Sequence, residues 1–180
     1  MAETTDARDV TVTSARAFAL GVVAGMRSQM PLALLAYQAR RGAFAADARP
    51  PLSLLRGRAA LPILGLFATG ELIADKLPTT PSRLLPGPLA GRLVVGAVAG
   101  AAVAADARQP ALAGSLLGAA GALAGAAAGY HLRAALGRAT GLPDPVWAIC
   151  EDVTALTLGL RAADSSGETM TAARSASASA

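Results

Sequence analysis

The chain has 180 residues and a formal net charge of +4; 53% of its residues are hydrophobic, 16% are charged and 3% are aromatic. A soluble domain carries about 25% charged residues, so this composition argues against an ordinary soluble domain. All basic residues except Lys76 are arginines, and they lie mostly between apolar runs, with almost no aromatic side chains to stack on bases. The pattern disfavours nucleic acid as a partner and favours the lipid bilayer.

The chain begins with a polar segment, residues 1–12, that is predicted to be disordered. The apolar residues that follow predict a first membrane span over 15–38, which is long enough to cross a bilayer. Pro31 lies inside this segment and is predicted to kink the helix. The alternative is a half-helix followed by a break near Arg27.

The longest and most basic internal loop is predicted over residues 39–58, where five arginines accompany a single acid, Asp47. Two consecutive prolines at 50 and 51 rule out a continuous helix there. Apolar residues then predict a second span over 59–77, and a proline-rich turn separates it from a third span over 89–105.

The fourth span is the most distinctive stretch, because residues 110–130 contain no charge. They correspond to about 31 Å of helix, roughly the hydrocarbon thickness of a bilayer. Glycines at steps of three and four share one face of this helix, which is predicted over 110–137. Such small residues let a neighbouring backbone approach closely, so the face is predicted to pack other helices: Gly114, Gly118, Gly121, Gly125 and Gly129.

A fifth span is predicted over 146–161, and residues 162–180 are predicted to be a disordered tail. No sustained alternation of β-branched residues occurs, so no sheet is expected. The prediction is an all-α fold, a polytopic membrane helix bundle over residues 13–161 with five glycine-rich spans. The expected location is the bacterial inner membrane, with the two termini on opposite sides. The sequence leaves open whether the chain forms a homo-oligomer.

Two pairs of segments resemble each other. GVVAGMRSQ at 21–29 aligns with GAAAGYHLR at 125–133, and ATGELIADK at 68–76 aligns with AICEDVTAL at 148–156. One span lies between the pairs, so the second pair would be flipped, and an inverted-topology repeat is predicted. Counting basic residues on the two sides gives eight against seven, which barely decides the orientation. The density of the first loop favours an outside N-terminus.

Several strings carry a family resemblance. GMRSQMPLALLA at 25–36, GELIADKLPTTPSR at 70–83, GYHLR at 129–133, and LPD followed by ED within 142–152 resemble an uncharacterised bacterial membrane family, domain of unknown function number 4126. The resemblance covers about residues 13–161. It implies a small multi-pass membrane protein, and it carries over no catalytic role to any residue.

Ionisable residues within the predicted spans are the candidates for function, since a charge at mid-bilayer costs at least about 2.5 kcal/mol. Arg27, Glu71 and Glu151 are predicted to face one shared polar centre, with Arg27 as the common partner of the two glutamates. The secondary candidates are Asp75, His131 and Asp152. The competing interpretation places such residues at helix ends, at the level of the headgroups.

The chemistry available to the chain is limited. With one cysteine, Cys150, and one histidine, no intramolecular disulfide or Cys/His metal cluster can form. No phosphate-binding loop or hydrolase motif is present, so neither a cofactor nor a catalytic residue is predicted. The favoured hypothesis is a small transporter or channel. The alternative is a non-catalytic structural or assembly protein of the membrane, and a lipid-headgroup enzyme comes third.

Overall fold

The computed structural model describes residues 2–45, 47, 48, 50–74 and 84–164, and the regular structure within these ranges is all helical. The all-α prediction is confirmed for this part of the chain. The helices are α1 (Ala2–Met26), α2 (Met30–Arg40), α3 (Leu52–Leu55), α4 (Ala60–Ala74), α5 (Pro86–Asp106), α6 (Ala111–Thr140) and α7 (Asp144–Ala163).

The first helix begins earlier than the sequence predicted. Residues 2–12 were expected to be disordered, but α1 starts at Ala2 and continues through them. No glycine or proline precedes Gly21, so nothing in the chain stops the helix from extending in the N-terminal direction. The side chains that follow residue 6 are exposed until Thr13, which means that this part of α1 projects beyond the packed helices.

The predicted single helix over residues 15–38 is wrong, and the alternative of a break near Arg27 is confirmed. Helix α1 ends at Met26, residues 27–29 form a turn, and α2 begins at Met30. Pro31 lies in the first turn of α2, where a missing N–H costs no helical hydrogen bond. The proline that was expected to kink one long helix instead helps to start a second one.

Helix α2 runs back in the direction opposite to α1 and packs mainly against α4 and α7. The Arg92 guanidinium, near the start of α5, donates to the carbonyl of Gly25 at the end of α1. The backbone N–H of Ala45, beyond the end of α2, donates to Oδ1 of Asp106 at the end of α5 (3.3 Å). Residue 45 therefore lies about 20 Å along α5 from residue 25, and α1 and α2 form a helical hairpin.

The remaining long helices also alternate in direction. The end of α4 meets residues 28 and 29 through Glu71, and the start of α4 lies beside the end of α2, because Arg56 donates to the carbonyl of Phe44 (2.6 Å). We call the end of the bundle with residues 27–29 and 141–143 the turn end. The opposite end, with residues 41–45, 50–59 and 107–110, we call the arginine end.

Both the start of α1 and the end of α7 lie towards the arginine end. The buried Arg16 of α1 donates from Nε to the carbonyl of Ala162 in the last turn of α7 (3.0 Å). The ends of the described helical region therefore lie at the same end of the bundle, because the hairpin adds one reversal of the chain, and this does not match the predicted placement of the termini on opposite sides.

The tight centre of the bundle is formed by α1, α5 and α6, which meet at glycines. A Cβ on Gly96 of α5 would lie 2.6 Å from the carbonyl oxygen of Gly118 in α6, and one on Gly21 of α1 would overlap the same carbonyl. Gly114 faces α5, and Gly121 and Gly125 face α1 in the same way. Gly129 is buried as well. Such close backbone approach is possible only where side chains are absent.

These glycine contacts also fix the helix directions. Gly21 meets Gly118 and Gly25 meets Ala122, so α1 and α6 run in the same direction. An inverted repeat that relates residues 21–29 to residues 125–133 would need these helices to run in opposite directions. The predicted inverted repeat therefore does not match the fold.

Two helices, Pro86–Asp106 and Ala111–Thr140, are long and apolar enough to cross a membrane, and Ala60–Ile73 is apolar but shorter. The bounds of α4 to α7 agree with the predicted spans within a few residues, apart from residues 75–77 of the predicted second span, which lie outside the described residues. Because only two helices meet this test, the count of five membrane spans stays a prediction. The predicted tail begins at the last turn of α7, and its residues 165–180 lie outside the described residues.

Candidate functional site

The break between α1 and α2 leaves two helix ends inside the bundle. Helix ends carry backbone groups without intrahelical partners, with partial positive charge at an N-terminus and partial negative charge at a C-terminus. At the N-terminal side of α2, the Glu71 carboxylate accepts hydrogen bonds from the N–H groups of Ser28 (2.7 Å) and Gln29 (3.0 Å). At the C-terminal end of α1, Arg92 donates to the carbonyls of Ala24 (3.4 Å) and Gly25 (3.1 Å).

The two residues that cap the break also pair with each other. Nη2 of Arg92 lies 3.3 Å from Oε1 of Glu71, and the side chains are only 7% and 13% exposed. Each charge thus has the sign that suits the helix end it contacts. We call this arrangement the break site: Glu71, Arg92 and the backbone of residues 24–29. It ties α4 and α5 to the α1–α2 hairpin.

Arg27, the first residue of the break, points to α7. Its Nε donates to Oδ1 of Asp152 (2.6 Å), and the two residues form an ion pair in which the arginine side chain is 1% exposed. A buried arginine is stable only beside a compensating charge with good hydrogen-bond geometry. This pair therefore fixes the turn end of α1 against the first half of α7.

A third pair joins α6 to α7. Nη1 of Arg133 lies 3.4 Å from Oε2 of Glu151, and the same guanidinium donates from Nε to Oδ1 of Asp144 (3.1 Å). Glu151 is buried, whereas Asp144 is exposed in the first turn of α7. Arg133 thus bridges one carboxylate inside the bundle and one at its turn end.

A groove lies beside the break site. It has a volume of about 460 Å³ and is lined by the hairpin turn and by one face of α5: Ser28, Gln29, Pro88, Gly91, Arg92, Val94 and Val95. Gly91 and Val94 are exposed, so the groove opens on the outer surface of the bundle. It places polar groups of the break next to an apolar helix face.

The predicted site residues are therefore brought to the turn end, but their pairing differs from the expectation. Arg27 was predicted to be the common partner of Glu71 and Glu151. In the structure Glu71 lies against Arg92, Glu151 lies against Arg133, and Arg27 lies against the secondary candidate Asp152. The description of these carboxylates as one shared centre stays a prediction.

The outcome for the other two secondary candidates differs. His131 is exposed on α6, and its ring packs edge-on against Tyr130 with the ring centroids 5.2 Å apart. Asp75 lies outside the described residues.

Sequence reasoning missed the roles of Arg92 and Arg133. A lone arginine near the start of an otherwise apolar span, as Arg92 is, could have indicated a buried partner. Arg133 ends the GYHLR string, whose position beside Tyr130 and His131 suggested the membrane interface instead. The sequence gives the position of each residue along its helix, whereas the residue that it pairs with depends on which helix packs against it.

Comparisons with known proteins give one match. Residues 15–165 match a family described as domain of unknown function (DUF4126). No curated protein and no solved structure matches the chain. Since the match spans most of the sequence and nearly all of the helices described above, this chain belongs to the DUF4126 family.

Proposed function

We propose that this protein is an integral membrane protein. In the most apolar stretches of α5 and α6, only 39% and 33% of the residues are buried. The core helix of a soluble protein would have most of its residues buried. Large apolar side chains on the apolar helices are exposed, among them Leu66 at 74% and Leu112 at 71%. Exposed apolar surface of this extent is costly in water and favourable against lipid.

Within the membrane, we propose that it acts as a small transporter or channel whose polar centre is the break site. Helices interrupted inside a bundle are a frequent way to build solute sites in transporters, because their free ends supply polar backbone groups away from water. The single observation that carries this proposal is the groove beside the break, which gives access to Ser28, Gln29 and Arg92 from the outer surface of the bundle.

The charges of the break site give such a centre a means of responding to a solute. Glu71 and Arg92 compensate each other and the helix ends at the same time. A solute or proton that neutralises one of them would weaken its hold on α1 or α2. Movement of the hairpin against α4 and α5 would follow from that change in pairing.

Flux measurements test this function. The full chain, reconstituted into liposomes, is assayed with pH-sensitive and ion-sensitive dyes for movement of protons, sodium, potassium and chloride. We expect flux for at least one ion, and at least a tenfold loss in Glu71→Gln, which keeps the shape of the side chain but removes its charge. Asp47→Asn at the exposed arginine end is the control and should leave flux unchanged. Absence of flux for all of these ions would contradict the proposal.

The second candidate is a structural protein, favoured by the pairing itself. The buried Glu151 and the half-buried Glu71 and Asp152 each have an arginine beside them. Such pairs can serve only to set the register and orientation of helices. In that case Glu71→Gln would lower the unfolding temperature in detergent, while the wild type would conduct none of the ions tested.

A further inference from the structure

The two ends of the bundle differ in their number of basic residues. Because α2 runs back in the direction opposite to α1, the basic loop after α2, the turn between α5 and α6, and the end of α7 all lie towards the same end. Seven arginines, six of them exposed and one half-buried, are found there or on the projecting start of α1: Arg8, Arg40, Arg41, Arg56, Arg58, Arg108 and Arg161. Four carboxylates with described side chains accompany them, Asp9, Asp47, Asp106 and Asp164, and the start of α1 also contains Glu3 and Asp6.

The turn end has fewer basic residues. Apart from the arginines of the pairs described above, the described residues contribute one exposed arginine, Arg138, and the exposed carboxylate Asp144 accompanies Arg133. The sequence between α4 and α5 adds Lys76 and Arg83, and counting both with this end still leaves it with fewer than half the basic residues of the other. A five-span topology divided the basic residues almost evenly, whereas the hairpin gathers them at one end.

The arginine end also has side chains that are typical of a membrane interface. Tyr37, near the end of α2, is partly exposed; its hydroxyl accepts a hydrogen bond from Arg41 (3.0 Å), whose guanidinium lies 5.6 Å from the ring centroid. Tyrosine and arginine together are typical of the headgroup level. On the short helix α3, between the arginine-bearing segments, Leu54 is 71% exposed. Cationic groups interleaved with exposed apolar ones suit a surface of anionic headgroups above acyl chains.

We propose that the arginine end lies on the cytoplasmic face of the membrane and binds the headgroups of anionic phospholipids. Basic residues in short loops are enriched on the cytoplasmic side, and the anionic lipids of that leaflet attract them. The proposal rests on the proposed membrane location but not on transport. The sequence had favoured an outside N-terminus, and this proposal places both ends of the helical region inside.

Lipid binding is tested on the full chain in detergent by titration with a fluorescent phosphatidylglycerol, with phosphatidylcholine as the neutral probe. Wild-type protein should bind phosphatidylglycerol more tightly. The triple variant Arg40→Gln, Arg58→Gln, Arg161→Gln removes three exposed arginines of this end and should weaken that binding by up to roughly a hundredfold, since each arginine near an anionic surface contributes roughly fivefold. The matched control, Arg138→Gln at the turn end, should bind like wild type.

Two results would overturn the lipid assignment. Equal affinity for the two lipids would mean that the arginines do not select anionic headgroups. Competition by a short RNA at the concentration that saturates phosphatidylglycerol would assign this end to nucleic acid instead. Failure of the protein to enter neutral liposomes at all would contradict the membrane location, which is a different outcome from loss of lipid selectivity.

Orientation is tested in intact bacterial cells with single cysteines in a Cys150→Ser background. Ser53→Cys marks the arginine end and Ala139→Cys marks the turn end, and both positions are exposed. A membrane-impermeant maleimide should label residue 139 in intact cells and residue 53 only after the cells are lysed. The opposite labelling would place the arginine end outside and overturn the proposal.

Discussion

At the scale of single residues, the sequence indicated which charges lie within helices of the bundle but not how they pair. Arg27, Glu71 and Glu151 stood out because a charge in an apolar span needs a partner, and each of them has one in the structure. Position along a helix fixes depth, whereas the partner depends on the rotation and direction of neighbouring helices. Asp152, one residue beyond Glu151, points about 100° away from it and meets Arg27 instead.

A double-mutant cycle distinguishes the two pairings of Arg27. Arg27→Gln combined with Asp152→Asn should show a coupling free energy of about 1 to 3 kcal/mol, because the two groups share an ion pair. Arg27→Gln combined with Glu151→Gln should be closer to additive, since Glu151 lies against Arg133. The free energies come from reversible unfolding in detergent. A larger coupling with Glu151 would support the pairing predicted from the sequence and contradict the structure.

At the scale of elements, the sequence predicted α5, α6 and α7 well because prolines and charges mark their ends. The third predicted span, 89–105, compares with α5 over Pro86–Asp106, and the last, 146–161, compares with α7 over Asp144–Ala163. The hairpin was harder to predict, since three consecutive polar residues can either lie within a straight helix or form the turn between two helices. The hydropathy of this segment is the same for a continuous helix and for a hairpin. Only the contacts of α2 with its neighbours distinguish the two structures.

The glycine face of α6 gives the prediction for this scale. Gly118→Ala should lower the unfolding free energy by about 1 to 3 kcal/mol, because its methyl group would overlap the backbone of Gly96. Gly137→Ala, on the same helix, meets no atom within 4 Å and should be neutral or stabilising by up to about 1 kcal/mol. Thermal unfolding in detergent measures both, and equal effects would mean that α6 does not pack through this face.

Alanines next to these glycines are poor controls for such an experiment. From the glycine stripe alone, leucine at Ala122 or Ala126 is expected to cost less than leucine at Gly121 or Gly125, because the two alanines lie about 100° round the helix from the glycines. Both alanines are fully buried, and their backbones lie against Gly25 of α1. The packed face of α6 is therefore wider than the glycine stripe alone, since α1 and α5 contact it from two sides.

At the scale of the whole molecule, one reversal changes the organisation of the chain. With a continuous first helix, the termini fall on opposite sides and the basic residues divide evenly. With the α1–α2 hairpin, Arg16 reaches Ala162, the arginines gather at one end, and two helix ends meet Glu71 and Arg92 inside the bundle. The break site, the charge asymmetry and the helix directions all depend on this hairpin.

The most direct test of the hairpin is a cross-link between its far end and α5. In a Cys150→Ser background, Ala45→Cys is paired with Asp106→Cys, because the N–H of Ala45 donates to the Asp106 carboxylate. The control pairs Ala45→Cys with Leu85→Cys at the other end of α5, about 30 Å away. Oxidation of the full chain in membranes should join 45 to 106 and leave 45 and 85 unlinked. Cross-linking of 45 to 85 without 45 to 106 would contradict the hairpin and the break site built on it.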